Sequence, residues 1–356
     1  MRFSYRQYQD GDSPAINELY FQVTGRRRTV EEHAWQWLES PAGDSEMWLI
    51  EAELDDGSRR LIGHHGIMAE AFTYRGTPVR VGKTENTMVL PEYRQKLLYP
   101  RFEKLFLGEY QNRFHALFST TGPAPAIRLR QAMGYEANQR WVGVYVGIEP
   151  FLSIDLVRER RALTPRDLQA RIKVASSVSM GGARVTCLDG SDSDFDFDHF
   201  WQLASPQYGL TPARTRANLQ WRFWSNPYVQ HHTLKLDDES QGTAIAIVSV
   251  RQGYVLHVDD LYCERPERLG HFMQLLLSWA AKRLGLRTLA SETTTDSFGY
   301  FSACKPRTIS WAHRVAGRTD ALQDRFMPRK VTPMGRAAGI NPDEAWYVTP
   351  FFFEGR

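Results

Sequence analysis

Cysteine is scarce in this chain. Three occur among 356 residues, Cys187, Cys263 and Cys304, at spacings that match no zinc module, and the odd count leaves one thiol outside any disulfide scheme. That argues against a disulfide-stapled scaffold and for a reducing cytoplasm. Long apolar runs are missing too. No stretch of about 18 apolar residues could cross a bilayer, and Met1-Arg2-Phe3-Ser4-Tyr5-Arg6 has no apolar signal core, so no membrane partner is expected. Nor does charge of one sign dominate. The 44 basic and 41 acidic residues leave a net charge of +3, too even for wholesale nucleic-acid binding, so any anionic partner must be met by a local patch.

What is present belongs to a folded protein. Hydrophobic residues make up 42%, aromatic residues 12% and charged residues 24% of a chain long enough for two domains. A short strand is expected near Arg2 to Tyr5, a helix from Ser13 and a second helix near Thr29 to Glu39. Met47 to Glu53 and Leu61 to Tyr74 alternate like strands. Tyr74-Arg75-Gly76-Thr77 supplies a turn, and Val79 to Leu90 returns as an antiparallel neighbour. Beyond it the pattern predicts a helix Pro100 to Gln111, a strand Ala116 to Ser119, a helix Ala124 to Met133 and a strand Trp141 to Ile148.

The later chain echoes the earlier. Leu219-Gln220-Trp221-Arg222-Phe223-Trp224-Ser225-Asn226-Pro227 repeats the spacing of Ala34-Trp35-Gln36-Trp37-Leu38-Glu39-Ser40-Pro41. His257 to Tyr262 leads through Pro266 into a helix Arg268 to Leu284 and a strand Thr288 to Ser291. These echoes suggest duplication, with residues 1–150 as one domain, 151–184 as a connector holding the basic cluster Arg158 to Arg161 and a loose turn Ser176 to Gly182, and 185–356 as the other. The second turn, Glu264-Arg265-Pro266-Glu267-Arg268, is mixed in charge and is assigned no phosphate site.

The most informative stretch runs from Glu85 to Phe102. An apolar strand breaks at Pro91, turns through the basic Arg94-Gln95-Lys96 and enters a helix. Such a corner leaves backbone N–H groups unpaired at the positive end of a helix dipole and suits an anion such as a pyrophosphate. The order resembles the coenzyme A signature of the GNAT superfamily of N-acyltransferases, a strand ending Val-x-Pro, then Arg/Gln-x-x-Gly-x-Gly/Ala and a helix. Val89, Pro91 and Arg94 fit; Leu97 and Tyr99 occupy the two positions that are small in the family. Ala126 to Tyr135 resembles the family's fourth helix. The resemblance implies an α/β fold with a mixed, mostly antiparallel twisted sheet flanked by helices, here duplicated in tandem, with the coenzyme at Val89, Leu90, Arg94, Gln95, Lys96, Leu97, Leu98 and Tyr99.

Acyl transfer from a thioester to an amine needs an uncharged amine, a polarised carbonyl and a proton for the departing thiolate. Period two puts Lys83, Glu85, Thr87 and Val89 on one strand face, and the resemblance makes Glu85 the candidate base, the rival reading being a carboxylate paired with Lys83. It places the thioester oxygen near the N–H of Val89 or Leu90. Arg130 stands where the family has a tyrosine; it cannot donate a proton but could steady negative charge. Thr120 and Thr121 offer hydroxyl contacts. The implied activity is transfer of an acyl, first of all acetyl, group from acetyl-CoA or another acyl-CoA to a small-molecule amine acceptor, without a metal. Two alternatives stand beside it: an aminoacyl-tRNA-dependent transferase, which needs a basic surface from Arg26 to Arg28 past Arg94, Lys96 and Arg101, with tRNA as partner, and a non-catalytic binding or scaffold protein. The oligomeric state stays open, a homo-oligomer included.

Other features have plainer readings. His64 and His65 point to opposite faces of a strand and cannot share one metal, so hydrogen-bonding roles are expected. Trp35, Trp37, Trp221 and Trp224 read as packing rather than as base-stacking platforms. Asp259 and Asp260 with Glu264 read as strand-end carboxylates.

Overall fold

The first strand, β1 (Arg2–Gln7), pairs antiparallel with β2 (Glu46–Glu53) in a register that sets Tyr5 opposite Ile50. In this computed structural model the described residues are 2–96, 98–120, 124–147, 170–172, 177–188, 190, 193–252, 255–286, 288–305 and 327–352. They fall into two units: Met1–Phe72, Pro78–Asn138 and Phe326–Asp343 make one, and Thr73–Thr77, Gln139–Arg325 and Glu344–Arg356 the other.

Between β1 and β2 of the first unit run α1 (Ser13–Thr24) and α2 (Val30–Trp37). The second starts with a reciprocal cap, the Thr29 hydroxyl accepting from the Glu32 N–H and the Glu32 carboxylate accepting from the Thr29 N–H. The long hairpin of β3 (Arg59–Tyr74) and β4 (Thr77–Val89) follows. From Ile62 to Glu70 every residue of β3 is buried, so this strand is covered on both faces and its polar members, His64, His65 and Glu70, are interior groups. Gly66 has a steric reason: a Cβ there would collide with the Trp37 indole seated against β3.

From β4 the chain passes through a 3-10 turn (Pro91–Lys96) into α3 (Leu98–Tyr110) and returns as β5 (Ala116–Phe118), parallel to β4. Leu98, Phe102, Phe106, Leu107 and Tyr110 recur at helical spacing and are buried against the sheet, the first two with Ile50, Ile62 and Met88 and the last three with Ile67 and Leu117. Next comes α4 (Ala124–Ala132).

The second unit is built on β6 (Trp141–Val146), β7 (Ser177–Met180), β8 (Ala183–Leu188), β9 (Leu210–Pro212), β10 (His231–Asp238), β11 (Gly242–Gln252), β12 (Val255–Cys263) and β13 (Leu289–Thr294). Helices among its described residues include α5 (Phe197–Ala204), α6 (Arg216–Leu219), which continues as a π turn Gln220–Trp224, and α7 (Leu269–Arg283). The main sheet has the order β6-β13-β12-β11-β10-β8-β7, antiparallel except for the β12–β13 pair.

A last strand, β14 (Arg329–Val331), followed by the short α8 (Pro333–Ala337), closes the first sheet, whose order is β1-β2-β3-β4-β5-β14. The folded units therefore differ from a division at residues 150 and 184. β6, expected in the first domain, pairs with β13 in the second sheet, and β14, expected in the second, pairs with β5 in the first. Composition could not show this, because an edge strand goes wherever backbone donors and acceptors are left open. Of the loose turn expected at Ser176 to Gly182, Ser176 lies outside the described residues and the rest is instead a hairpin, β7 and β8 joined at Gly181 and Gly182, whose φ angles of 54° and 86° suit glycine. The cluster Arg158 to Arg161 lies outside the described residues. Among the described residues no helix is long and apolar enough to cross a membrane, and Cys187, Cys263 and Cys304 are free thiols.

Candidate active site

The parallel strands β4 and β5 stay paired only from Val81 to Lys83, against Ala116 to Phe118, and the Thr84 hydroxyl adds one bond to the Phe118 carbonyl at 3.2 Å. Beyond this point β4 runs on to Val89 while β5 has ended. Asn86 takes a left-handed φ of 48°, which breaks the strict alternation of the strand. The parting opens a cleft of about 760 Å³ inside the first unit. Thr84 to Val89 form one wall and Ser119, Thr120, Pro125, Ala126, Leu129 and Arg130 the other; Arg94, Tyr99 and Pro100 close one end, with Val23 and Thr24 of α1 beside them.

Two cations are held in this cleft by different means. Arg94 is exposed, and its Nε–H donates back to the Val89 carbonyl at 3.1 Å, which fixes the guanidinium over the end of β4. Arg130 is 4% exposed and its Nη1 donates to the Ser119 hydroxyl at 2.7 Å. Glu85 reaches the cleft from β4 while its Oε2 pairs with Lys83 Nζ at 2.9 Å.

Behind the wall lies a buried polar group. His65 Nδ1 is 2.6 Å from the Thr87 hydroxyl, and its Nε2 is 3.3 Å from Glu103 Oε2 on α3, with both the His65 and Glu103 side chains 0% exposed. Burial pushes His65 well below the usual imidazole range, and the Arg130 charge adds to the fall. Burial likewise raises the Glu103 carboxyl, opposed by Arg130 and by the nearby Tyr99 hydroxyl. The Tyr99 phenol is raised by burial and by the neighbouring Glu103, with Arg130 opposing. The neighbouring His64 donates its Nδ1–H to the Asn86 carbonyl at 2.8 Å, and burial lowers it to about 3.

Solved structures resemble the chain over 93% of its length. They include a probable N-acyltransferase from Enterococcus faecalis (TM-score 0.61, 8% identical, 72% of that chain covered) and a GCN5-related N-acetyltransferase from Anabaena variabilis (TM-score 0.59, 11% identical, 73% covered). Another GCN5-related N-acetyltransferase, from Kribbella flavida, matches at a TM-score of 0.55, 10% identical, with 71% covered. The chain has the GNAT fold. Sequence comparison is silent on it: no protein-family model matches, and no curated protein matches.

Within the GNAT fold, the residues singled out from sequence separate into groups. Glu85, Val89, Arg94, Tyr99 and Arg130 line the cleft together, with Thr120 beside them. Gln95 and Lys96 are exposed in the 3-10 turn and do not line it. Leu90 and Leu98 are core residues, and the Leu90 N–H donates to the Ile62 carbonyl at 2.9 Å, so of the two N–H groups considered for the thioester oxygen that of Leu90 is spent. Leu97 and Thr121 lie outside the described residues. Arg28, one of the arginines a tRNA surface would need, is 6% exposed and donates to Asn17 and Gln36, each at 2.8 Å.

In the second unit Asp260 accepts from Arg214, Nε at 2.8 Å and Nη2 at 3.0 Å, and from the Thr349 hydroxyl at 2.8 Å, which makes it an interior counter-charge. Trp35, Trp37 and Trp221 are buried. Reading the sequence missed His65 and Glu103 as members of the site. The signal for Glu103 was present: a carboxylate falls inside the apolar stripe of Leu98, Phe102, Phe106 and Tyr110, where a solvated glutamate has no place.

Proposed function

We propose that this protein is an N-acyltransferase that moves an acyl group, acetyl first of all, from a coenzyme A thioester to an amine. The observation that carries the reading is the parting of β4 from β5 beside a strand, a basic turn and a helix entry, with Arg94 fixed at the corner. Parted parallel strands expose backbone groups toward the cleft, and these can hold a carbonyl oxygen as charge develops on it. Arg94 suits the diphosphate of the donor. Glu85 is the base in this reading: it takes the proton from the acceptor amine as the C–N bond forms, yielding part of its pairing with Lys83. Arg130 keeps its proton and steadies negative charge on the departing sulfur, and the Tyr99 phenol, held protonated by burial, is a hydrogen-bond donor in the same cleft.

Calorimetric titration with acetyl-CoA tests this, on the wild type and on Arg94→Ala. Saturable binding weakened about tenfold or more in the variant supports the donor assignment. Absence of binding at millimolar acetyl-CoA removes the coenzyme from the proposal and leaves aminoacyl-tRNA or a non-catalytic role, which a salt-dependent tRNA-binding measurement then separates.

A further inference from the structure

Thr87, His65 and Glu103 stand in the order of a nucleophile, a base and the group that orients the base. The Thr87 hydroxyl is 2.6 Å from His65 Nδ1, and His65 Nε2 is 3.3 Å from Glu103 Oε2. The first contact is a closed hydrogen bond; the second is a close approach without hydrogen-bond geometry, which a bound substrate would have to close. Of the three residues, only Thr87 is exposed, and it faces the cleft.

A purely structural account leaves this arrangement poorly explained. The His65 ring lies among aromatic neighbours, 4.1 Å from the Phe106 centroid and 5.9 Å from that of Phe102. A carboxyl group sunk beside those rings carries a desolvation cost that a hydrocarbon side chain would avoid. Arg130, buried in the same region and interacting with Glu103, opposes the rise that burial imposes on the Glu103 carboxyl. In the tautomer whose Nε2–H faces Glu103 Oε2, 3.3 Å away, the neutral ring presents its Nδ1 lone pair to the Thr87 O–H.

We propose that Thr87 is a covalent acyl carrier in this cleft, its hydroxyl activated by His65 and His65 oriented by Glu103, so that transfer proceeds through a threonine ester. Thr87 Oγ forms a bond to the thioester carbonyl carbon while its proton passes to His65 Nδ1. The C–S bond then breaks, and the sulfur leaves with that proton as a thiol. In the second half the acceptor amine attacks the ester carbonyl, its surplus proton goes to Glu85, and Thr87 Oγ leaves, reprotonated through His65 by that same proton. No oxidant or metal enters the balance. Glu103 stabilises the imidazolium that forms in each half without taking its proton.

This rests on the acyltransferase reading for its natural donor, so the test uses two donors. Wild-type protein is mixed with acetyl-CoA, or with p-nitrophenyl acetate, which needs no coenzyme site, then acid-quenched, weighed intact by mass spectrometry and peptide-mapped with and without hydroxylamine. One hydroxylamine-labile acetyl group on Thr87 is expected, lost in Thr87→Val, retained in Thr87→Ser, and formed about a hundredfold more slowly in His65→Gln. Because Thr87 is exposed, Thr87→Val keeps the fold and is informative even if His65→Gln does not fold. Ester label from p-nitrophenyl acetate alone upholds the carrier and overturns the coenzyme A assignment. Acetyl-CoA binding with no ester on Thr87 from either donor, or label undiminished in Thr87→Val, overturns the carrier and leaves the coenzyme assignment standing.

Discussion

Lys83 and Glu85 form an ion pair of 2.9 Å on one face of β4, the ammonium 2% exposed and the carboxylate 25% exposed. The pairing ties the base proposed for the transfer to stability at one residue. Glu85→Gln takes the carboxylate from a buried ammonium and is expected to cost about 1–2 kcal/mol, less than a fully interior pair because Glu85 touches water. Lys83→Met should recover most of that loss in the Glu85→Gln background. Urea unfolding of the two single variants and the double variant measures the coupling; additive losses would show that the pair contributes nothing.

Gly82 sits where β4 and β5 still run together, opposite Leu117. A Cβ there would collide with Ile67 Cγ2 and Leu117 Cδ2. Gly82→Ala is therefore expected to destabilise by about 1–3 kcal/mol and, by pushing β5 aside, to weaken ligand binding in the adjoining cleft. An unfolding midpoint equal to that of the wild type would contradict the packing described.

Stability should fall on acidification well before the carboxylates titrate. Burial lowers His33 and His64 to about 3, from an ordinary value of 6.5, and His65 falls in the same direction. The unfolded chain takes up these protons as pH drops through its own higher value, while the folded chain refuses them. The stabilisation is complete above about pH 6.5 and is lost toward pH 3, by about 1.4 kcal/mol per pH unit for each ring. Glu103, raised by burial, works in the opposite sense and returns a part of it at the acid end. Thermal melts by circular dichroism at about pH 7.5 and about pH 5 should differ by several degrees; equal melting temperatures would mean that the rings are hydrated and titrate normally.

In the second unit, Asp260→Asn removes the counter-charge of the fully buried Arg214 and should cost about 3–5 kcal/mol. Replacing both by hydrocarbon, Arg214→Met with Asp260→Leu, should cost much less than either single change. Calorimetric melting of the three variants checks the order; a double variant as damaged as the singles would show that the other partners of Arg214, such as Thr211 at 2.7 Å, matter more than the charge.

At the capping box of α2, Thr29→Ala should cost about 1 kcal/mol, since the Glu32 N–H loses its acceptor. A loss below the error of urea denaturation would mean that the tertiary seat of Trp37 alone holds the helix.

Element positions were legible because they depend on neighbours in the chain. Alternation marked β4, a second helix was expected near Thr29 to Glu39, and Pro91 with Arg94 marked the strand-to-helix corner, each a pattern completed within a few residues. The charged members of the cleft wall, Glu85 and Arg94, were legible for the same reason: they lie on or beside one strand whose phase can be counted. Glu103 and His65 were not, since neither has a partner near it in sequence; their meeting depends on α3 packing across β3. Arg130 could be named but not interpreted, because its bond to Ser119 and its place near Glu103 exist only once α4 is set beside β5.

By itself the sequence determined the local elements, the apolar faces that make them pack and the basic turn after β4, because propensity, periodicity and capping are short-range properties. Tertiary structure alone decided that β6 and β14 would each close the sheet of the other half of the chain, that Asn86 would interrupt β4, and that a threonine, a histidine and a glutamate from three elements would meet at the cleft. Those outcomes follow from which backbone edges remain open and which side chains share a buried, low-dielectric space, and neither is set until the elements have assembled.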